Sequence, residues 1–259
     1  MDIYLFDFLK FKTSSSHQLS EGVKLSESRQ KLTQISVLYE MKFAFAFLLT
    51  LFSGIALGQD PWKNVYSHPA WTDRDKWQRP EELIRLMGIA EGDHVADVGC
   101  HEGYMTFKLA RHVGKAGLVY AVDVESGRIQ KVKARAEKNN LQQIRAVKGE
   151  HRDPGLPSND LDAVIILDTY HEMDHHEEIL QHIKSSLKSG GRLLICEPIA
   201  DSRRDLSRSE QEKKHELALT FALADLKKAG FKIIFQKDSF IDRTKEKGDK
   251  MWVVVAEKI

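Results

Sequence analysis

One short stretch, residues 94–104, limits the folds open to this chain more than any other part of it. An apolar strand ends near the acidic residue Asp97, a turn with Gly99 and Gly103 follows, and a helical pattern begins after that turn. Glycine permits a turn in which a ligand approaches bare backbone, and the helix start behind it presents free N–H groups. The stretch therefore predicts a ligand site at the carboxyl end of a strand.

A second apolar strand follows at residues 118–124 and also carries a carboxylate near its tip, Asp123. Two neighbouring strands that each end in an acid suit a nucleoside-type ligand, because ribose hydroxyls need acceptors and a carboxylate only accepts. Strand and helix patterns keep alternating downstream, and the strands are almost continuously apolar. This alternation predicts a doubly wound α/β domain with a buried parallel sheet.

The periodicity also sets approximate bounds for the elements. Residues 62–77 are aromatic-rich and are predicted to be irregular, and the last helix, whole or broken, is predicted to stop at Gly230. Strands are predicted near 94–99, 118–123, 144–148, 163–168, 192–197, 231–237 and 250–257, and helices near 80–87, 104–113, 126–139, 177–188 and 209–228.

The spacing of the glycines separates this turn from the dinucleotide-binding turn. That turn has G-x-G-x-x-G after the first strand, whereas this chain has Asp97-x-Gly99-x-x-x-Gly103. The pattern resembles the first motif of class I S-adenosylmethionine (SAM)-dependent methyltransferases. Further elements match that family in the expected order, from about Trp77 to the C-terminus: Asp123, Gly149-Glu150-His151, Leu161 to Asp168, and Leu187 to Ile195 with its Gly-Gly pair.

This resemblance implies a Rossmann-like sheet of seven strands in the order 3-2-1-4-5-7-6, with the last strand antiparallel. In that order the fourth strand separates the only two cysteines, Cys100 and Cys196. Two strand spacings come to about 9.6 Å, which is more than the Cα separation that a disulfide tolerates. We therefore expect two buried free thiols.

The resemblance also implies SAM as cofactor, with binding residues at the tips of the first four strands. Asp97 is expected to orient the methionine part, Asp123 to accept hydrogen bonds from both ribose hydroxyls, and Glu150 to accept from the adenine amine. His101 stands where the family often has glycine, and it either contacts the ligand or points to solvent. The full set of cofactor candidates is Asp97, Gly99, His101, Gly103, Asp123, Glu150, His151 and Asp168.

Residues after the fourth strand are the candidates for the acceptor side. This strand borders the crevice where ligands bind in open α/β sheets. We expect Tyr170 and His171 to face the acceptor, with His171 as a possible general base. His215 is a third candidate, because it precedes Gly230 by fifteen positions, as does a histidine in the exported methyltransferase-like proteins that the chain resembles. A merely structural role is the alternative for each.

Residues 171–175 also spell H-E-x-x-H, the signature of zinc metalloproteases. That site needs both histidines on one face of a helix, but His171 directly follows a buried strand and the helical pattern begins only near His175. A zinc hydrolase is therefore the least favoured function, and we predict no metal ligands. The preferred function is methyl transfer from SAM to a small-molecule acceptor. The other alternative is a non-catalytic SAM-binding or regulatory protein with the same fold.

The N-terminal part of the chain predicts export. Met41-Lys42 is followed by an apolar run and a small-x-small ending, which is typical of a signal peptide over residues 41–58. Residues 1–40 are then expected to be a disordered upstream extension, and residues 59–259 the methyltransferase domain. The apolar run is short for a membrane span of about 20 residues. We expect a periplasmic or secreted mature protein without a stable membrane anchor.

Charge gives little indication of a macromolecular partner. The formal net charge is +1 over 259 residues, which favours neither nucleic acid nor an acidic surface as a partner. We expect a small-molecule acceptor as the partner and no nucleic acid. The sequence leaves the oligomeric state and the identity of the acceptor open.

Overall fold

The computed structural model describes residues 69–259. The predicted upstream extension and signal peptide lie outside the described residues and remain predictions. In the part of the chain that the structure describes, no helix is long and apolar enough to cross a membrane.

Strands and helices alternate along the described residues, as the apolar periodicity predicts. The helices are α1 (Pro69–Gln78), α2 (Pro80–Met87), α3 (Tyr104–Val113), α4 (Ser126–Lys138), α5 (His176–Ser186), α6 (Arg208–Glu212) and α7 (Leu219–Lys228). The strands are β1 (His94–Val98), β2 (Leu118–Asp123), β3 (Ile144–Lys148), β4 (Leu161–Leu167), β5 (Leu187–Ile199), β6 (Phe231–Arg243) and β7 (Asp249–Lys258).

All seven strands form one sheet in the order β3-β2-β1-β4-β5-β7-β6, so the predicted order is confirmed. The strands from β1 to β5 pair in parallel, while β7 runs antiparallel to both of its neighbours, β5 and β6. In the register, Val95 of β1 lies between Val119 of β2 and Ala163 of β4. The chain leaves β1 in one direction to build β2 and β3 and in the other to build β4, which creates a crevice at the end of β1.

The sheet is covered on both faces, which is why its strands are apolar on both sides. Along β7, Val253 belongs to the core cluster that includes Phe107 of α3, whereas Trp252 belongs to the opposite cluster with Leu180 of α5. Both thiols, at Cys100 and Cys196, are buried and free, as predicted. The two apolar layers hold the carboxyl ends of the parallel strands at one edge of the domain.

Three predicted bounds are wrong. Residues 69–78 form a helix rather than irregular chain, because proline suits a first helical turn and Trp71 packs against the rings of Tyr104 and Phe107. The strand predicted at 192–197 begins earlier, at Leu187, since residues before its Gly-Gly pair already pair with β4. The penultimate strand, predicted to end at 237, extends to Arg243 through two register shifts against β7.

The long helix predicted over 209–228 is broken into α6 and α7, one of the two forms that the sequence allowed. His215 lies between the two helices with a backbone φ of +57°. This left-handed conformation cannot continue a right-handed helix. The break brings His215 to the surface, and Glu216 is buried beside it, where it accepts a hydrogen bond from the backbone N–H of Ala200 at 3.1 Å.

Candidate functional site

A cavity of about 610 Å³ opens at the carboxyl ends of β1, β2 and β4. Its volume lies within the range of about 300–1,000 Å³ that small-molecule sites have, and it occupies the crevice expected for ligands in this sheet. A larger concavity of about 1160 Å³ runs along the edge strand β3 and is away from the predicted residues. Most of the predicted site residues line the smaller cavity: Asp97, Gly99, His101, Asp123, Glu150, His151, Asp168 and His171.

The glycine turn after β1 forms one wall of this cavity. Gly99 has φ of +79°, and its N–H donates to the carbonyl of Val122 at 2.8 Å. A Cβ atom at Gly99 would lie 2.2 Å from Cγ2 of Thr169, so a side chain there would push the turns after β1 and β4 apart. Gly103, with φ of +91°, instead packs against Phe107 at the start of α3.

His101 adopts the backbone conformation that suits glycine. Its φ is +50°, and its N–H donates to Oδ2 of Asp123 at 2.9 Å. The residue is exposed, but it lines the cavity. Partial burial of the imidazole lowers its pKa, and the positive charge of the nearby Arg128 lowers that pKa further. The backbone of His101 therefore joins the glycine turn to the tip of β2.

Asp123 is buried at the tip of β2, and both of its oxygens accept backbone hydrogen bonds. Oδ2 accepts from the N–H of His101 and Oδ1 accepts from the N–H of Glu125, each at 2.9 Å. Nη1 of Arg128 lies 3.5 Å from Oδ2. A carboxylate oxygen can accept more than one hydrogen bond, so the fixed Asp123 can still accept from a ligand in the cavity.

Asp97 at the end of β1 is almost fully buried and accepts a 2.6 Å hydrogen bond from Oγ1 of Thr106. Burial raises the pKa of this carboxyl to about 6, and the bonds from Thr106 and the nearby Arg74 charge oppose that rise. At neutral pH the group is mostly ionised, which places a negative charge at the base of the cavity.

The sequence analysis missed Arg74, which also lines the cavity. This residue of α1 lies over the Tyr104 ring, with its guanidinium carbon 4.3 Å from the ring centroid, and its Nε donates to Gln78 at 2.9 Å. Burial lowers the pKa of the guanidinium, while the charges of Asp168 and Asp97 oppose the change. No local pattern marks Arg74, because its position depends on how α1 packs across the sheet.

Glu150 and His151 follow β3 on the exposed rim of the cavity. Nζ of Lys148 donates to Oε1 of Glu150 at 2.7 Å, and this hydrogen bond lowers the pKa of the Glu150 carboxyl. At the end of β4, Asp168 has φ of +58° and accepts from Nη1 of Arg243 at 3.0 Å. Arg243 thus ties one cavity carboxylate to the outer strands of the sheet.

His171 lies in the 3₁₀ turn Tyr170–Glu172 and is held by Glu197 from the neighbouring strand β5. Nδ1 of His171 is 2.5 Å from Oε2 of Glu197, which is completely buried. Burial alone would lower the pKa of His171, but the hydrogen bond and the charge of Glu197 raise it overall. The sequence analysis missed Glu197, although a carboxylate within the apolar run of β5 could have indicated it.

Tyr170 is not brought to the cavity, contrary to expectation. The ring is fully buried in the core on the α5 and α7 side of the sheet, and the hydroxyl donates to Oδ2 of Asp225 at 2.9 Å. Tyr170 thus belongs to the core whereas its neighbour His171 lines the cavity, so consecutive residues after β4 face different surroundings. The contacts of Tyr170 are those of a core residue.

His215 does reach the neighbourhood of His171, although its side chain is largely exposed. The two imidazole rings meet edge to face with centroids 5.9 Å apart, and Nδ1 of His215 is 2.5 Å from Oε1 of Glu172. His175 is not part of this group, because it precedes α5 and Nδ1 faces Glu178 at 3.7 Å. The H-E-x-x-H histidines therefore do not share a helix face.

A known protein family matches most of this chain. The model of the family described as "Methyltransferase domain" matches residues 89–251. A demethylmenaquinone methyltransferase from Symbiobacterium thermophilum is 28% identical over 152 residues, which are 58% of this chain and 59% of that protein. The chain spans between about half and three fifths of the length of the curated relatives that it matches.

Solved structures share the same fold. A SAM-dependent methyltransferase from Aquifex aeolicus has a TM-score of 0.61 and 24% identity, with 77% of this chain and 99% of that chain covered. The [4+2]-cyclase SpnF also has a TM-score of 0.61, at 18% identity, with 70% of this chain and 80% of that chain covered. These likenesses confirm the α/β architecture that the alternation of strands and helices and the glycine motif predicted.

Proposed function

Because this chain belongs to the methyltransferase domain family, we propose that it transfers a methyl group from SAM to a small-molecule acceptor. The observation that carries this proposal is the juxtaposition of the Gly99 turn with the buried carboxylate of Asp123 on one cavity wall. Backbone can approach the ligand at the glycine turn, and the fixed carboxylate offers acceptors to the two ribose hydroxyls.

We place the methionine part of SAM near Asp97 and Arg74. The carboxylate of Asp97 would attract the ammonium group and the guanidinium of Arg74 would pair with the carboxylate of the cofactor, since both side chains line the same cavity. The negative charge of Asp97 also favours the sulfonium cation. Glu150 and His151, on the rim beyond β2, are proposed to contact the adenine edge.

The acceptor then enters at the His171 end of the cavity, after β4. His171 lines the cavity and is held rigidly by Glu197, so it presents a fixed polar surface to an acceptor. His215 lies beside it on an exposed loop and is proposed to contribute to the entrance. The contacts of Tyr170 remove it from our proposal.

The chemistry asks little of the protein beyond alignment. The sulfonium of SAM is already activated, so the acceptor atom needs to lie in line with the methyl group while water is excluded. In such a displacement the acceptor forms a bond to the methyl carbon as the carbon–sulfur bond breaks, and S-adenosylhomocysteine leaves with the electron pair. An acceptor hydroxyl or ammonium must also lose a proton.

A SAM-binding protein without transferase activity is the second candidate. The [4+2]-cyclase SpnF shares the fold of this chain, and a shared fold does not determine the reaction. This likeness supports retaining the non-catalytic candidate. The predicted signal peptide also favours it, since SAM is made in the cytosol and an exported protein has little access to it. N-terminal sequencing of the native protein tests the export prediction, and a mature terminus within residues 1–40 would contradict it.

Binding and turnover separate these candidates. We expect SAM and S-adenosylhomocysteine to bind with micromolar affinity, about −8 kcal/mol, measured by calorimetry. Incubation with methyl-labelled SAM and a fractionated metabolite extract should then transfer label to a small molecule. Binding without transfer across such fractions would favour the non-catalytic candidate, and absence of binding to a folded protein would contradict both.

A further inference from the structure

Three potential metal ligands meet at the acceptor end of the cavity. His171 and Glu172 lie in the turn after β4, and His215 lies in the loop between α6 and α7. Oε1 of Glu172 is 3.2 Å from Nε2 of His171 and 2.5 Å from Nδ1 of His215. The three ligand atoms all lie within 4.8 Å of one another. Glu172 and His215 are 43 residues apart in the chain, so the cluster exists only in the folded protein.

Glu197 fixes the ring of His171 so that Nε2 faces this cluster. Oε1 of Glu197 accepts the backbone N–H groups of Thr169 at 2.6 Å and Tyr170 at 2.8 Å, which locks the carboxylate in place. Oε2 is 2.5 Å from Nδ1 of His171, and Nδ1 carries the hydrogen because a carboxylate accepts. Histidines that bind metal ions usually donate their other ring N–H to a carboxylate or carbonyl in this way.

We propose that Nε2 of His171, Oε1 of Glu172 and Nδ1 of His215 bind one divalent transition-metal ion, Zn²⁺ or a close analogue. Around a tetrahedral ion with bonds of about 2.1 Å, neighbouring ligand atoms lie about 3.4 Å apart. The separation of 3.2 Å between Nε2 of His171 and Oε1 of Glu172 is close to that value. Nδ1 of His215, now 2.5 Å from Oε1 of Glu172, would have to move away from it to bind the same ion, and its side chain is largely exposed. Two imidazoles and one carboxylate suit zinc, iron or manganese better than magnesium or calcium, which favour oxygen ligands.

His171 and Glu172 both line the cofactor cavity, so an ion held by them would lie at its edge with a coordination position for a further ligand. An acceptor with an ionisable hydroxyl would bind there through oxygen and release its proton to solvent water more readily, since a bound cation lowers the pKa of a coordinated hydroxyl. This role rests on the proposed methyl transfer, whereas binding of the metal does not. It departs from the sequence-based prediction of no metal ligands, and it replaces the general base predicted at His171, because a nitrogen that binds metal cannot accept a proton.

Direct metal titration tests the site. The full chain is stripped with a chelator, dialysed, and titrated with Zn²⁺ by calorimetry and with Co²⁺ by visible absorption, and SAM affinity is measured on the same samples. We expect one tightly bound Zn²⁺ per chain in the wild type. His171→Ala, Glu172→Gln and His215→Ala should each lower Zn²⁺ affinity by about a hundredfold or more, with SAM affinity unchanged within a few fold.

His175→Ala is the matched control, because His175 is a neighbouring histidine outside the cluster. It should leave the Zn²⁺ affinity within about twofold of the wild type. The proposal is overturned if the stripped wild type does not take up one Zn²⁺ per chain. It is also overturned if a variant that combines His171→Ala, Glu172→Gln and His215→Ala still takes up one Zn²⁺ per chain while it binds SAM. Equal losses in His175→Ala and His215→Ala would also overturn it, since they would indicate general histidine binding.

Turnover with labelled SAM tests the role of the ion separately. Once an acceptor fraction has been found, the stripped protein should transfer methyl at least tenfold more slowly, and added Zn²⁺, Mn²⁺ or Fe²⁺ should restore the rate. Full turnover in the stripped protein, together with loss in His171→Ala, would overturn the metal role in favour of an imidazole base. Failure to bind SAM would contradict the proposed methyl transfer and leave the Zn²⁺ result to stand by itself.

Discussion

The two ends of the cavity are built in different ways. One wall of the proposed cofactor end comes from a continuous stretch that contains Gly99, His101 and Asp123, and its hydrogen bonds run mainly through backbone groups. Arg74 and Glu150 join this end from other segments. The acceptor end joins His171 and His215 from separate connections around the buried Glu197 of β5. The wall formed by neighbouring residues suits a cofactor that does not change. The acceptor end is formed by several loops, so its ligand contacts can change without disturbing the cofactor wall.

The largest expected effect comes from Gly99→Val. The new Cβ would lie within 2.2 Å of Thr169, and the left-handed φ of +79° would be strained by a branched side chain. We expect SAM affinity to fall by more than about 10³-fold, which is about 4 kcal/mol. Gly92→Val is the matched control, because Gly92 has φ of +92° but no atom within 4 Å of its Cβ position.

Both glycine variants should lose stability through backbone strain of about 1–2 kcal/mol, but only Gly99→Val should lose the cofactor. Calorimetric titration with SAM and thermal unfolding distinguish the two effects. Wild-type SAM affinity in a folded Gly99→Val protein would show that the turn after β1 is not the cofactor wall.

His171→Ala should affect the other end of the cavity. We expect turnover to fall by about 10²-fold or more, because the variant loses the group that handles the acceptor proton, as base or as ligand. SAM affinity should stay within a few fold, because His171 is not among the proposed cofactor contacts. Radiolabel transfer and calorimetry on the same preparation measure the two quantities, with His175→Ala as the control.

Equal losses of SAM affinity and turnover in His171→Ala would contradict separate roles for the two ends of the cavity. Normal turnover would mean that His171 is structural, and His215 would then be the next residue to test.

Asp123→Ala should weaken SAM binding by about 2–3 kcal/mol, or about 30- to 150-fold, since it removes charged hydrogen bonds of about 1.5–3 kcal/mol that are not additive. Glu125→Ala is the control, because Glu125 also lines the cavity but lies two residues beyond the strand tip. Calorimetry with S-adenosylhomocysteine gives the same comparison without turnover. A larger loss in Glu125→Ala than in Asp123→Ala would reassign the ribose acceptor.

The smallest expected effect on SAM affinity is its dependence on pH through Asp97. Burial raises the pKa of this carboxyl to about 6, so its negative charge is lost as the pH falls from 7.5 to 5. SAM affinity should decrease by up to about tenfold over that range, since a carboxyl with pKa near 6 is roughly one-tenth ionised at pH 5. In Asp97→Asn the affinity should be weak and nearly independent of pH over the same range.

The same shift predicts a stability effect with a defined sign. The folded-state pKa of Asp97 is above the ordinary value of 3.8, so the native state binds the extra proton more strongly than the unfolded state. Stability from this group is present below about pH 4 and is lost as the pH rises through 6. As the pH rises from about 4 to 6, the free energy of unfolding of Asp97→Asn should therefore increase relative to that of the wild type by about 2–3 kcal/mol. Denaturant unfolding measures this difference.

Much of the fold followed from patterns within single segments. The apolar strands, the helix-period residues and the glycine turn each depend on neighbours a few positions away, so the sequence alone indicated β1 to β4 and their helices. The same locality explains why the cofactor candidates Gly99, His101 and Asp123 lie together along one cavity. The element bounds failed where pairing extended a strand, as at Leu187 and Arg243, because pairing partners are distant in sequence.

The acceptor end could be predicted only in part. His171 was singled out from its place after β4, but the same argument put Tyr170 beside it, whereas the structure places Tyr170 in the core with its hydroxyl bonded to Asp225. Tyr170 and His171 contact segments that are distant in sequence, Asp225 of α7 and Glu197 of β5. Short-range sequence patterns do not specify such contacts.

What the sequence determined by itself was the order of strands and helices, the glycine turn and the carboxylates at the tips of β1 and β2, because short-range periodicity and backbone freedom specify them. What only the tertiary structure decided was the position of Arg74 at the cavity, the contacts of Glu197 and His215 with His171, and the burial of Tyr170 away from the cavity. These depend on segments that touch only after the sheet has formed, because packing and burial, and not spacing along the chain, fix their distances.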